Sequence, residues 1–138
     1  MEEELVALKA AYKAWGERGW YALDVWRDLM DEEFTIHTTV DGTTPGLAFA
    51  AERNGRNEAL IYLSGIFEDW DMVHYTPEHY LCQAPMIAMF GRCAYRHKKT
   101  GRVADCAIAC LWRFENGRAV AFTEVFDTAR AARAAIGA

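Results

Sequence analysis

The apolar residues of this chain repeat at helical spacing over most of its first half and alternate at strand spacing over nearly all of its second. Leu5, Leu8, Tyr12 and Trp15 stand three, four and three residues apart, which is one face of a helix. Gly16 and Gly19 are its stop signals. Ala22, Val25, Trp26, Leu29 and Met30 predict a second, shorter helix. The acidic cluster Asp31-Glu32-Glu33 that follows reads as a solvated turn. Phe34–Val40 alternates and is rich in β-branched residues, so it reads as a strand. Asp41–Gly55 holds three glycines and one proline and has no period. A loop of that length in a compact domain is more often functional than idle. Asn57–Trp70 predicts a third helix with Leu60, Leu63 and Phe67 on one face.

Beyond residue 70 the pattern is β. Met72–Cys82, Met86–Lys98, Val103–Phe114 and Arg118–Asp127 are four segments broken by Gln83-Ala84-Pro85, Lys99-Thr100-Gly101 and Glu115-Asn116-Gly117. The Ala- and Arg-rich tail, Thr128–Ala138, reads as a short helix or a frayed end. Helices first and strands last predict an α+β fold with an antiparallel sheet. The 138 residues suit one domain, 1–138, with one core.

Composition removes several classes of function. Hydrophobic residues make up 52% and charged residues 25%, a globular balance. Net charge is −5, and the longest basic run is Arg96-His97-Lys98-Lys99, so no nucleic-acid partner is expected. No stretch of 18 uncharged apolar residues predicts a membrane span. The acidic N-terminus is unlike a signal peptide, and a cytoplasmic protein is expected. Cys82, Cys93, Cys106 and Cys110 form no C-x-x-C pair and are read as free, mostly buried thiols. Cys106 and Cys110 on one strand would lie ~13 Å apart, too far for a disulfide. Aromatic residues reach 13%, including five Trp, which predicts a large core, an apolar pocket or an interface.

Strand parity divides the last hairpin into two faces. A three-residue Glu115-Asn116-Gly117 loop would pair Phe114 with Arg118 and set Trp112, Cys110 and Ile108 opposite Val120, Phe122 and Glu124. A two-residue loop would swap one strand's face. The three-residue loop gathers the bulky residues together and places Glu124 between Phe122 and Phe126 on the concave side. The opposite side, with Ala107, Ala109, Leu111, Ala121 and Val125, is small and apolar, and a second copy is expected to cover it. A carboxylate among phenyl rings has its pKa raised by desolvation and can act as a base near neutral pH. The alternative is that Glu124 pairs with an Arg or a hydroxyl, or meets water at the sheet edge.

The element order, Tyr12 followed seven residues later by Gly19, the hairpin Leu-Trp-Arg-Phe-Glu-Asn-Gly-Arg and the ending Glu-Val-Phe-Asp-Thr-Ala together resemble the SnoaL-like and ketosteroid-isomerase-like proteins of the nuclear transport factor 2-like superfamily. The resemblance spans about residues 3 to 130. It implies a cone: a curved, largely antiparallel (mixed) sheet against three N-terminal helices, with an apolar pocket and a homodimer contact on the outer sheet face. Ketosteroid isomerases use a Tyr and two Asp. Tyr12 matches the Tyr, but the Asp positions fall on Thr38 and Cys110. Neither side chain can do an Asp's work, so steroid isomerisation by that mechanism is rejected.

The resemblance implies that Trp15, Thr38, Tyr95, Ile108, Cys110, Trp112, Phe122 and Phe126 line the pocket. Glu124, with His97 as acid/base partner and Tyr12 as oxyanion donor, is the candidate catalytic set. His97 has a competing reading as a solvated residue at a hairpin tip, and Tyr12 as a core aromatic. No three His, Cys or acidic residues have metal-ligand spacing, and no cofactor fingerprint is present. The expected ligand is a small apolar molecule. Two functions compete: a cofactor-free isomerase, cyclase or lyase moving a proton on an apolar carbonyl compound, and a non-catalytic dimeric binding module. A cavity above ~300 Å³ with Glu124 and a second polar group converging favours the first, and Trp side chains plugging the cone favour the second.

Overall fold

The computed structural model describes residues 1–136. The chain runs through α1 (Glu2–Arg18), a 3-10 turn (Gly19–Ala22), α2 (Leu23–Leu29), β1 (Met30–Thr38), β2 (Arg53–Asn54), α3 (Arg56–Asp69), β3 (Trp70–Gln83), β4 (Met86–His97), β5 (Val103–Glu115), β6 (Arg118–Phe126) and α4 (Thr128–Ile136). The six strands form one open mixed sheet in the order β2-β1-β6-β5-β4-β3. β1 lies parallel to β6 and the other neighbours are antiparallel. The three N-terminal helices pack into the concave side, giving the expected α+β cone.

Several boundaries differ from expectation for physical reasons. α1 continues through Gly16, because that position packs against the Tyr75 carbonyl, where a Cβ would come within 2.9 Å. β1 begins at Met30, so Asp31, Glu32 and Glu33 belong to the strand and not to a turn. An irregularity in its pairing between Met30 and Thr35 absorbs them. The buried face of α3 is Ala59, Tyr62, Leu63 and Ile66, so Leu60 and Phe67 sit at its margins. The tail is helical as α4, with Ala131 and Ala134 buried. Its last residues, 137–138, lie outside the described part.

The β5–β6 turn corrects one expectation and keeps its consequence. Glu115 pairs with Arg118, so the loop is the two residues Asn116 and Gly117, both at positive φ (52° and 79°). Positive φ at both positions is the hairpin turn that Asn-Gly favours. Alone it would turn Glu124 to the wrong face. A bulge beside Phe114 intervenes: Phe114 pairs with Ala119, while Arg113 pairs with Ala121. The extra residue, Val120, restores the parity. Trp112, Cys110 and Ile108 therefore face Phe122, Glu124 and Phe126. The partners are shifted by two residues from expectation, and the shared face is unchanged.

β5 then alternates with almost no exception: Ala104, Cys106, Ile108, Cys110, Trp112 and Phe114 are all buried. With Leu8, Tyr12, Trp15 and Trp26 from the helices they make one core. The outer face is left apolar, with Phe90, Leu111 and Val125 each more than 40% exposed.

Candidate functional site

Glu124 projects from β6 into the interior of the cone. Inward parity is enforced by Phe122, which is buried two residues before it, and by Trp112 and Cys110 across the strand. The residue is 8% exposed. The hollow around it is walled by Trp15, Trp26, Phe34, Ile36, Tyr95 and Ile108, among others, and among the described residues no Lys, Arg or His lines it. One side-chain donor reaches the carboxylate. The Tyr62 hydroxyl, on α3, donates to Oε1 at 3.4 Å, a long bond.

Burial without a compensating cation raises the Glu124 pKa from 4.5 to about 7. The Tyr62 bond works against that rise, and the nearby Cys106 thiol adds to it. Burial and the Glu124 charge together hold the Tyr62 phenol well above its usual range, so it stays a proton donor. One carboxylate oxygen is thus tethered and the other is left for a proton.

Tyr12 lies at the floor, 2% exposed. Its ring stacks on Tyr75, with centroids 5.6 Å apart, and meets Trp26 and Trp112 edge-on. Its oxygen accepts from Trp112 Nε1–H at 2.9 Å. Accepting that bond polarises its own O–H, which is directed at the Cys110 sulfur. Burial pushes its pKa well up, which keeps it protonated. Trp26 stacks flat on Trp112, and its indole N–H is buried with no acceptor among the described residues. An unpaired buried donor of this kind costs roughly 1–3 kcal/mol.

The structure brings Glu124, Tyr12, Trp15, Tyr95, Ile108, Trp112, Phe122 and Phe126 to the one hollow. Three predicted residues are not among its lining. Cys110 is sealed beneath the floor, its sulfur 3.8 Å from the Tyr75 hydroxyl. Thr38 pairs in register with Glu124 but its side chain lies beside Tyr62, outside the lining. His97 is neither solvated nor in the hollow. It is 6% exposed, packs edge-on against Trp70 at 4.9 Å, and its Nδ1 accepts the Lys99 amide at 3.3 Å. Trp70, which it packs against, is one of the lining residues, and His97 is not.

Sequence reasoning missed Tyr62 and the packing of the 41–55 loop. The signal for Tyr62 was the 59-62-63-66 spacing, which puts a phenol at the centre of an apolar helical face. The loop packs Leu47 and Ala50 into the core and sets Phe49 edge-on against Tyr62, 5.3 Å away. Trp70 Nε1 donates to the Gly46 carbonyl at 2.7 Å and pins the loop down. Gly46 sits at φ 77° against Ala135, where any Cβ would collide.

The hollow is small. Its volume is about 70 Å³. That is less than the ~300 Å³ expected of a ligand pocket, because Trp26, Trp112 and Tyr12 fill the floor. Among the described residues no three His, Cys, Asp or Glu side chains gather as metal ligands.

The SnoaL-like domain family matches residues 8–122, and the chain belongs to that family. No curated protein matches it. Solved structures with the same fold include a nuclear transport factor 2-like protein of unknown function from Burkholderia pseudomallei, 24% identical, covering 98% of both chains with a TM-score of 0.84. A protein named a SnoaL-like polyketide cyclase, from Jannaschia sp., is 15% identical over 97% of this chain and 92% of its own, with a TM-score of 0.78. One named an isomerase, from Rhodopseudomonas palustris, is 20% identical over 94% and 93%, with a TM-score of 0.74. At these identities they share the fold.

The raised pKa makes a stability prediction. Folded Glu124 holds its proton up to about pH 7, and the unfolded chain releases it near 4.5. Between those values the folded state binds more protons, so its stability falls as pH rises. The gap corresponds to roughly 3 kcal/mol. Glu124→Gln removes the titration. Urea unfolding from pH 4 to pH 8 should therefore show the variant gaining on the wild type by about that amount. A difference that stays flat with pH would mean the carboxyl is not desolvated.

Proposed function

We propose that this SnoaL-like domain, residues 1–138, is a cofactor-independent enzyme that moves a proton on a small apolar carbonyl compound, in the manner of an isomerase, cyclase or lyase. The observation that carries the reading is one carboxylate, held by one phenol 3.4 Å away, in an apolar hollow with no cation in its described walls. A base poised near pH 7 combines a useful ionised fraction with real proton affinity. Glu124 takes a proton from the carbon next to the substrate carbonyl. Its Oε1 is tethered by Tyr62, which leaves Oε2 as the oxygen to take the proton. The Tyr12 hydroxyl, polarised by Trp112, turns from its bond to Cys110 and donates to the enolate oxygen as charge develops there. Glu124 then returns the proton to a different atom. His97, packed against Trp70, is assigned no part in this step.

The small volume selects compact substrates, unless Trp or Tyr walls rotate on binding. The same aromatic filling favours the second reading, a non-catalytic binding module, because a plugged floor leaves little room for chemistry.

Solvent deuterium exchange separates the two even when the product is unidentified. A panel of small ketones incubated with the protein in D2O should gain deuterium beside the carbonyl. The rate should rise with pH through about 7 and level off, since the base acts when deprotonated. Glu124→Gln should lower it by about 10²-fold or more. Ketone binding without exchange would support the module, and equal exchange by the variant would remove Glu124 from the reaction.

The surface and the thiols support a homodimer in the cytoplasm. The exposed apolar strip of Phe90, Leu111 and Val125 suits contact with a second copy through the outer sheet face. Free cysteines fit a reducing, cytoplasmic setting. Light scattering should return a dimer mass, and Leu111→Asp should lower it; a monomer at micromolar concentration would contradict this.

A further inference from the structure

Two of the four cysteines face each other across the sheet. Cys93 on β4 and Cys106 on β5 are direct partners in an unbroken register. The same register begins at the hairpin, where His97 N–H donates to the Arg102 carbonyl at 2.9 Å. Pairs two residues apart share that type, so Cys93 and Cys106 are a hydrogen-bonded pair. Their Cα atoms then lie ~5.5 Å apart, within the disulfide range, while the Cβ atoms of such a pair stand up to ~5.5 Å apart, so closing the bond draws the two strands together by about an ångström and leaves it strained and readily reduced. Opposed residues on a strand pair project to the same face, and here it is the inner one. Both side chains line the hollow, 4% and 7% exposed. The other two cysteines are placed differently: Cys110 faces Met89 and has no thiol opposite it, and Cys82 is exposed on β3.

We propose that Cys93 and Cys106 are a dithiol modification site, oxidised to a cross-strand disulfide by a small peroxide that enters the hollow. This does not rest on the proton-transfer reading. The roles of the two sulfurs are set by their surroundings. Cys106 lies beside the point where β6 gives way to α4, and the Asp127 backbone N–H points at its sulfur. A helix N-terminus and an amide donor favour a thiolate. The Cys93 thiol also donates to it. These bonds, Cys93 first, bring the Cys106 thiol below its usual range, against burial and the Asp127 and Asp105 charges, which push it up. Cys93 is held protonated by the same bond and by burial.

The chemistry balances with hydrogen peroxide as oxidant. The Cys106 thiolate attacks one peroxide oxygen, the O–O bond breaks, and hydroxide leaves to become water. Cys106 is then a sulfenic acid. The Cys93 sulfur attacks the Cys106 sulfur, forms the S–S bond and expels the hydroxyl as a second water. Two thiols lose two electrons and the peroxide gains them. The hollow, about 70 Å³ in volume, has room for a molecule of this size. The product would also alter the site, because Cys106 is one of the groups raising the Glu124 pKa.

The test uses the folded wild-type chain. After brief exposure to hydrogen peroxide, remaining thiols are alkylated under native and then unfolding conditions, and a non-reducing digest is read by mass spectrometry. The expected product is a Cys93–Cys106 linked peptide that a dithiol reductant reverses. In Cys93→Ser the sulfenic acid should persist on Cys106 and be trapped by a dimedone probe. In Cys106→Ser, Cys93 should remain a thiol. Oxidation of Cys82 alone, with Cys93 and Cys106 still alkylated after unfolding, would overturn the proposal. So would trapping on Cys93 instead of Cys106.

Discussion

The site depends on a desolvation cost that, among the described residues, one long hydrogen bond offsets only in part. A buried carboxylate is ordinarily matched by an arginine or by several amides. Glu124 has one long bond from Tyr62 and a wall of rings. A group so placed weakens the fold whenever it is ionised. The large aromatic core around Trp112 and Tyr12 is what lets the chain carry that cost, since aromatic side chains bury the most area per residue. The same rings that stabilise the cone therefore perturb the carboxylate, and packing and chemistry come from one set of residues.

Position follows from two irregularities that cancel. The Asn116-Gly117 turn sets one parity for β6, and the bulge at Val120 reverses it. Either alone would turn Glu124 outward and bring Thr123 and Val125 in. The parallel pairing of β1 with β6 then brings Thr38 beside Glu124, and α3 brings Tyr62 from the other side. Gly91 lets β4 approach β3 closely, since a Cβ there would run into the Thr76 carbonyl. That close approach helps curve the sheet around the hollow.

Much of this was legible in residue patterns. Alternation from Val103 to Phe126 marked the inner face, and it picked out Glu124 as the charged residue on it. The spacing of Leu5, Leu8, Tyr12 and Trp15 marked the helix that supplies the floor. What was not legible is of one kind. The hairpin register needed two compensating features, and a loop length alone cannot reveal a bulge three residues later. His97 was misplaced because a hairpin-tip position says nothing of Trp70 folding over it. Tyr62 was passed over because two apolar faces of α3 overlap at Leu63, and packing buries the one with Ala59, Tyr62 and Ile66 in preference to the one with Leu60 and Phe67. The size of the hollow depends on ring rotamers, and no periodicity encodes those.

One measurement reaches the central claim without any substrate. Selective labelling of glutamate side-chain carboxyls with carbon-13 allows each to be titrated by nuclear magnetic resonance, with Glu124→Gln identifying the resonance. The account predicts a midpoint at about 7 for Glu124, separate from the exposed glutamates. A midpoint near 4.5 would show that water or an unseen cation reaches the carboxylate. The hollow would then be a gap in the packing, with no base in it.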